Sequence, residues 1–475
     1  MVRLLACSLS LVAAIHALPN VLFKDVVIIG GGASGSYAAV RLREDFGKSI
    51  TLVEKDEILV RLHWSYGGHV DSYVDTKTGT PYDFGVKAFI QAGNATGFFD
   101  RLGVPRGRSS KTPVNTTYID FKSGKVLDFA PPPSAAQLDA LADFLRVVEP
   151  WEHLLQPGYF DFPEPSHIPG DLLVPFGDFV SRHGLERAMP FIYQTTGLGV
   201  GNMTKAITLF ALQAFGASMA RSALGLQDSF VPASGRNQDL YDAVAAVLGS
   251  DVLYASKVVN TIRTNLGVII TVRHLKSGRL TYVAAKALLI AIEPTGDNTG
   301  PFSLDLDEKH ILSRFTYTRE YTGIIDNTAL AAHASYFNLP FDAAPNNYLS
   351  YPEPPFTARI DYMGSGHYFR VTVIGDDKLD DKGAKALVDK DFATLVNAHV
   401  LRGSAAEKVH WVAFSTHGPM HARVSVGDVR RGFFQKLYAL QGRRSTWWTG
   451  GAWSVNFQSA LWQYDDIIVP MMLRG

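Results

Sequence analysis

The sequence predicts an α/β protein in which a Rossmann-type dinucleotide-binding domain is interleaved with a second domain of mixed sheet and helices. Three observations carry this reading. Asp25-Val26-Val27-Ile28-Ile29-Gly30 is a short β-branched apolar run, the pattern of a strand buried on both faces. Gly30-Gly31-Gly32-Ala33-Ser34-Gly35 follows on the G-x-G-x-x-G spacing. After a helix-compatible stretch, Ser36 to Asp45, a second strand from Ser49 to Val53 closes on Glu54.

The composition sets the frame. The chain has 475 residues, 47% hydrophobic and 19% charged, which suits two or more packed domains and excludes a disordered tail. Forty-five basic residues balance 45 acidic ones, so there is no electrostatic footprint for nucleic acid. Arg3, the apolar run Leu4 to Ala14 and the small residue Ala17 read as a secretory signal peptide over residues 1–17. No later run is apolar and long enough to suggest a membrane span. The one cysteine, Cys7, lies inside the signal, so disulfides, thiol catalysis and cysteine–metal sites are excluded from the mature chain. Asn94, Asn115 and Asn202 head N-x-Ser/Thr sequons. Asn94 and Asn115 are plausible glycan sites, whereas Asn202, before an apolar helix, is a candidate for burial.

Each glycine of the loop has its own task. Gly30 permits the tight turn, Gly32 lets a pyrophosphate approach the backbone, and Gly35 lets helix and strand pack closely. The helix start then offers N–H groups and a partial positive charge to the phosphates. Glu54 stands 24 positions after Gly30, where a carboxylate reaches a ribose hydroxyl.

Further along, Gly67-Gly68-His69 and Tyr82-Asp83-Phe84-Gly85 lie just past this unit. Near the other end come His417-Gly418-Pro419, Gly432-Phe433-Phe434, Leu437 to Gly442 and Thr446-Trp447-Trp448-Thr449-Gly450-Gly451, with Phe457 to Tyr464 reading as a helix start. In these blocks the chain resembles the flavin-containing amine oxidase superfamily, and within it the fungal secreted flavoproteins of the β-cyclopiazonate dehydrogenase type. The resemblance implies FAD. Gly30, Gly32, Ala33, Ser34 and Gly35 would cradle its pyrophosphate, Glu54 its adenosine ribose, and the backbone at Val258 its adenine. Gly67, Gly68 and His69 would approach the flavin. Gly450 and Gly451 would meet the pyrophosphate again, unless they form a plain hairpin turn. Phe457, Gln458 and Ser459 would face the flavin pyrimidine, where a helix N-terminus stabilises negative charge. Residues 21–100, 226–300 and 425–475 are expected to form the FAD domain, and 101–225 and 301–424 the substrate domain.

The rest of the chain is read more plainly. The proline-rich stretch from Pro131 to Pro175 is expected to wrap the surface, Ile207 to Leu224 to form a buried helix, and residues 315–373 a sheet floor for a small-molecule substrate. Gly197-Leu198-Gly199-Val200-Gly201 lacks the nucleotide spacing and reads as a flexible turn. With one dinucleotide loop, electrons from substrate are expected to pass to O2.

Catalytic residues are not identified by the sequence. Many amine oxidases keep a lysine near the flavin; Tyr321 to Ile325, the corresponding stretch, has none. The candidates are His69, as proton acceptor, cofactor hydrogen-bond partner, covalent flavin anchor or packed bystander, and Lys87, as a cation near the flavin or a solvated side chain. His153, His167 and His183 are scattered, and Pro419 keeps His417 and His421 off a helix, so no metal site is expected. The expected activity is hydride abstraction from a C–H beside nitrogen or a similarly activated carbon. The alternative is a flavin-binding protein with lost or redox-neutral activity. One departure stands out: Glu54 and Gly67 are 13 positions apart, more than such flavoproteins need, and Ser65 replaces the usual arginine. A bulging loop is expected over Ile58 to Tyr66.

Overall fold

The structure, a computed structural model, describes residues 21–57, 69–109 and 112–474. The expected signal segment, the bulge expected over Ile58 to Tyr66, Gly67 and Gly68 lie outside the described residues.

The strand Val21–Ile29 is the centre of the first sheet. Its last four residues, Val26 to Ile29, are all buried, because both faces of the sheet are covered. It pairs in parallel with Ile50–Val53 on one side and with Leu280–Ile290 on the other. Val252–Leu253 adds beyond the former and Thr446–Trp448 beside the latter, both parallel. Ser256–Thr264 and Gly267–His274 run antiparallel into Leu280–Ile290, so one long strand serves both the parallel sheet and a meander. The first helix spans Ala33–Val40, and its continuation Arg41–Asp45 widens to a π turn. It packs against the terminal helix Gln458–Arg474, where Trp462 stacks on Tyr37 at 5.6 Å and its indole N–H donates to the Ala33 carbonyl at 3.2 Å.

A second seven-stranded sheet runs Trp411–Arg423, Thr316–Asp326, Tyr368–Gly375, Phe356–Tyr362, Ala334–Asn338, Asn115–Asp120, Lys125–Val126. The helix Asp381–Asn397 covers one face, burying Val388, Phe392 and Leu395 against Tyr321, Val371 and Val373. The strands of the two sheets come from alternating parts of the chain, which crosses between them four times.

Three local expectations are corrected. Ile207 to Leu224 is two helices, Thr208–Ala214 and Ala217–Ala223, because Phe215 turns extended and a Cβ on Gly216 would stand 2.5 Å from the Leu212 carbonyl oxygen. The proline-rich stretch contains the helix Ser134–Val148, whose Leu141, Phe144 and Val148 join the main core. Gly197 to Gly201 is no loose turn either. It is buried throughout and packs against the second sheet.

The meander is tied to the following helix, Leu306–Leu312, by a fully buried ion pair between Arg263 and Glu308. Asp305 and Glu308 also form a reciprocal capping box, with backbone-to-carboxylate bonds of 2.9 and 2.8 Å. Glu308→Ala leaves the Arg263 guanidinium buried and uncompensated, so we expect a loss of about 3–5 kcal/mol in urea unfolding. Adding Arg263→Met should restore part of it, because the unpaired charge is then gone.

Candidate active site

The glycine loop shows three different reasons for lacking a side chain. Gly30 holds φ at +97°, and a Cβ there would lie 2.6 Å from Ile292 Cγ2. A Cβ on Gly35 would lie 1.9 Å from the Gly30 carbonyl oxygen, so helix and strand touch backbone to backbone. Gly32 differs: a Cβ there would meet nothing within 4 Å. Its open side is space reserved for something other than protein. Gly32 and Ala33 are half-exposed while Gly30, Gly31, Ser34 and Gly35 are buried, and Ser34 Oγ is buried without a partner.

Glu54 ends the second strand as predicted, and its carboxylate is already engaged. Oε2 accepts from the Gly31 N–H at 2.6 Å and Oε1 from the Asp56 N–H at 2.9 Å. Burial pushes its pKa up, and the two N–H groups pull against that shift. Glu54 therefore braces the glycine loop, with lone pairs to spare for a ribose hydroxyl. The backbone N–H of Ser256 donates to the Glu54 carbonyl at 2.9 Å, which fastens the strand carrying the buried Val258 to this end of the site.

The second glycine pair is not a hairpin. Thr446–Trp448 pairs in parallel with Leu288 to Ile290, and the chain turns at Gly450, φ +112°, into the helix Gln458–Arg474. Gly450, like Gly32, would place a Cβ in open space. Gly451 is crowded, its Cβ position lying 2.6 Å from Glu293 Oε1. At the helix start Ser459 Oγ donates to the Ile90 carbonyl at 2.6 Å, Gln458 Oε1 is buried without a partner, and Phe457 is half-buried. Two glycines with open sides, two orphaned buried oxygens and a helix N-terminus fit a dinucleotide.

A polar cluster gathers around His69. The sequence singled out only His69; the structure surrounds it with Asp71, His417, Ser415, Glu320 and His421. His69 Nε2 meets the His417 carbonyl oxygen at 2.9 Å, and the two rings lie 5.1 Å apart. A carbonyl only accepts, so Nε2 carries the proton and Nδ1 keeps a lone pair that has no hydrogen-bond partner among the described residues. His417 Nε2 pairs with Asp71 Oδ2 at 2.7 Å, Ser415 Oγ donates to the same oxygen at 2.8 Å, and Glu320 Oε1 lies 4.0 Å from His417 Nδ1. Burial lowers the His417 pKa, but the bond to Asp71 and the charges of Asp71 and Glu320 outweigh it and hold it above the usual value. His69 is pushed down to about 3 by burial and by His417, and His421 to about 3 by burial, Arg423 and His69. A Cβ on Gly199 would stand 2.5 Å from His421 Nε2, which accounts for that glycine. Gly418 and His421 hold φ at +65° and +52° and the pairing with Thr316–Asp326 shifts register there, so no simple alternation in the sequence marks the two histidines.

Lys87 donates to the Asp83 carbonyl and faces Arg359, Asp361 and Arg370 of the second sheet. The residue is exposed as a whole, yet crowding around its amine, followed by Arg370, holds its pKa well below the lysine range. His153, His167 and His183 are exposed, and no group of metal-ligating side chains occurs among the described residues. Asn94 and Asn115 are exposed, whereas the Asn202 amide donates to the Tyr351 carbonyl at 3.1 Å and to Glu353 at 2.8 Å.

Two outcomes are expected. Gly32→Val should fold like the wild-type apoprotein but hold no flavin absorbance, whereas Gly35→Ala should lose fold and flavin together, by circular dichroism and visible spectra. His417, with its raised pKa, contributes stability that is complete below pH 6.5 and is lost as pH rises through its folded value. In Asp71→Asn that alkaline loss should disappear from the melting midpoint plotted against pH.

Residues 28–102 match the NAD(P)-binding Rossmann-like domain. The chain is 30% identical over 465 residues to β-cyclopiazonate dehydrogenase of Aspergillus flavus, covering 98% of this chain and 96% of that one. It is 32% identical over 461 residues to the FAD-dependent oxidoreductase pigF of Monascus ruber, covering 96% and 93%. The fold is shared with a fatty acid isomerase from P. acnes that produces CLA, at a TM-score of 0.69, 16% identity and coverage of 95% and 98%. It is shared also with putrescine oxidase, at 0.60, 14%, and 96% and 100%. The chain is an FAD-dependent oxidoreductase with the two-domain amine-oxidase fold, and belongs to the family that includes β-cyclopiazonate dehydrogenase.

Proposed function

We propose that the protein is a secreted oxidase that removes a hydride from a C–H bond beside nitrogen, or from a similarly activated carbon, and delivers the electrons to O2. The observation that carries this reading is the likeness, over nearly the whole of both chains, to a protein named for dehydrogenating β-cyclopiazonate. A fold neighbour solved with putrescine bound supports an amine-like substrate. The single G-x-G-x-x-G loop supports O2 over a nicotinamide as acceptor, and the Arg3–Ala17 pattern supports secretion.

Bound FAD supplies the two-electron acceptor that no protein side chain provides. The chain's own residues do the rest. Gly32 and Gly450 leave room for the dinucleotide, and Glu54 braces the loop that carries it. The N-terminus of the helix Gln458–Arg474 lends a partial positive charge beside Phe457 to Ser459. His69, neutral and fixed by the His417 carbonyl, offers Nδ1 as a proton acceptor or as a hydrogen-bond or covalent partner of the cofactor. Lys87 faces the second sheet, where the substrate would lie, as a second proton acceptor.

A redox-neutral reaction is the second reading. It is favoured by the isomerase fold neighbour and by the stretch that lacks a lysine, where Thr322 Oγ1 is taken up by the Phe84 carbonyl at 2.9 Å and Tyr321 Oη by that of Leu379.

Anaerobic addition of candidate amines and indole alkaloids to the purified yellow protein separates the two. Oxidation bleaches the flavin, and air then restores the colour with hydrogen peroxide in step with product. An isomerised product without peroxide would establish the redox-neutral reading instead. Acid precipitation tests the tether: colour kept in the pellet of wild type and lost in His69→Ala would assign a covalent bond, and full release of FAD from wild type would remove it.

A further inference from the structure

The strand Thr316–Asp326 has two polar faces, and the histidine cluster occupies only one. Thr318 Oγ1 donates to the Gly199 carbonyl, Glu320 lies beside His417, and Thr322 turns to Phe84. Alternation along the strand sends Tyr317, Arg319 and Tyr321 the other way, toward Asp377 and Leu379. Behind that face lies a cleft of about 540 Å³.

The cleft has apolar walls, formed by Pro294, Leu304, Leu312, Phe315 and Pro419. Its floor is polar and unpaired. Tyr317 Oη and Arg319 Nε are buried without a hydrogen-bond partner, and Arg319 enters no ion pair among the described residues. Burial holds the Tyr317 phenol well above its ordinary pKa, so it is a donor at neutral pH. Lys309 and Asp377 stand at the mouth; with Arg319 they leave one net positive charge. Glu293, next to Pro294, has its pKa raised to about 8 by burial and does not cancel that charge at neutral pH. A phenol and a guanidinium nitrogen left unpaired in an apolar cleft are costly unless an acceptor occupies it. Apolar walls with a few convergent polar groups are the pattern of a small-molecule site.

We propose that this cleft binds a small organic acid, an apolar body whose carboxylate or similar oxyanion is held by Arg319 and Tyr317, on the opposite face of the strand from the histidines. The ligand class follows from the donors: two fixed donors with a net positive charge select a single oxyanion, and the walls select an organic one over free phosphate.

The test uses the FAD-loaded full-length chain and calorimetric titration with 1-naphthylacetate, its neutral amide 1-naphthylacetamide, and inorganic phosphate. The acid should bind about tenfold more tightly than the amide, the worth of one charge-assisted hydrogen bond. Arg319→Gln should erase that preference, and Tyr317→Phe should weaken the acid with the flavin spectrum unchanged. If Arg319→Gln does not fold, Lys309→Gln takes its place and should weaken the acid and flatten its salt dependence. Equal binding of acid and amide, no binding of the acid, or an acid preference that survives these substitutions would overturn the proposal. So would phosphate that displaces the acid at equal concentration, because the cleft would then be a general anion site.

Discussion

The site depends on one contact, the passage of Gly35 beneath the carbonyl of Gly30, so close that a methyl group would stand 1.9 Å from the oxygen. Because strand and helix meet there without side chains, the loop between them is drawn tight and its middle glycine is turned outward. The carboxylate of Glu54 then reaches the Gly31 N–H, and the Trp462 indole reaches the Ala33 carbonyl. The second strand and the terminal helix are thus referenced to the same few atoms. The groups that line this loop are backbone, which is stiffer than a set of long side chains and leaves little to rearrange.

Around the histidines the organising force is electrostatic. Three imidazoles are crowded together with two carboxylates, and burial alone would favour the neutral form of all three. Asp71 and Glu320 reverse this for His417 only, whose pKa is raised, while His69 is held down by burial and by His417, and His421 by burial, Arg423 and His69. The outcome is an ordered set of protonation states, with the free lone pair assigned to His69. Such a division of roles among like groups is how one buried cluster serves acid and base chemistry together.

Much of this was legible in the residues. Runs of buried β-branched side chains, glycine spacing and a strand-ending acid have local causes, so the first sheet, its loop and Glu54 follow from pattern. Gly450 and Gly451 were placed by resemblance; that they form a parallel-strand turn needed Leu288 to Ile290, far away in sequence, to be seen alongside. Asp71, Glu320 and His421 carried no local signature, because their roles come from three segments that meet only in the fold. The break at Phe215 and Gly216 was missed because apolar spacing continued through it, although the carbonyl that crowds Gly216 belongs to Leu212, four residues earlier. Gly199 looked like a flexible residue because its partner, His421, lies on a remote strand.

The alternation of chain segments between the two sheets has a consequence for biosynthesis. Thr446–Trp448, the strand that completes the first sheet beside Leu280–Ile290, and the helix that closes over Ala33 both lie in the final thirty residues. Neither sheet is a continuous stretch that the ribosome could release and let fold alone, since each waits for a segment made after parts of the other. The nascent chain therefore leaves that edge of its parallel sheet unpaired until Thr446–Trp448 has been made. A truncation before Thr446 removes both a strand of the nucleotide fold and the helix that packs on its glycine loop.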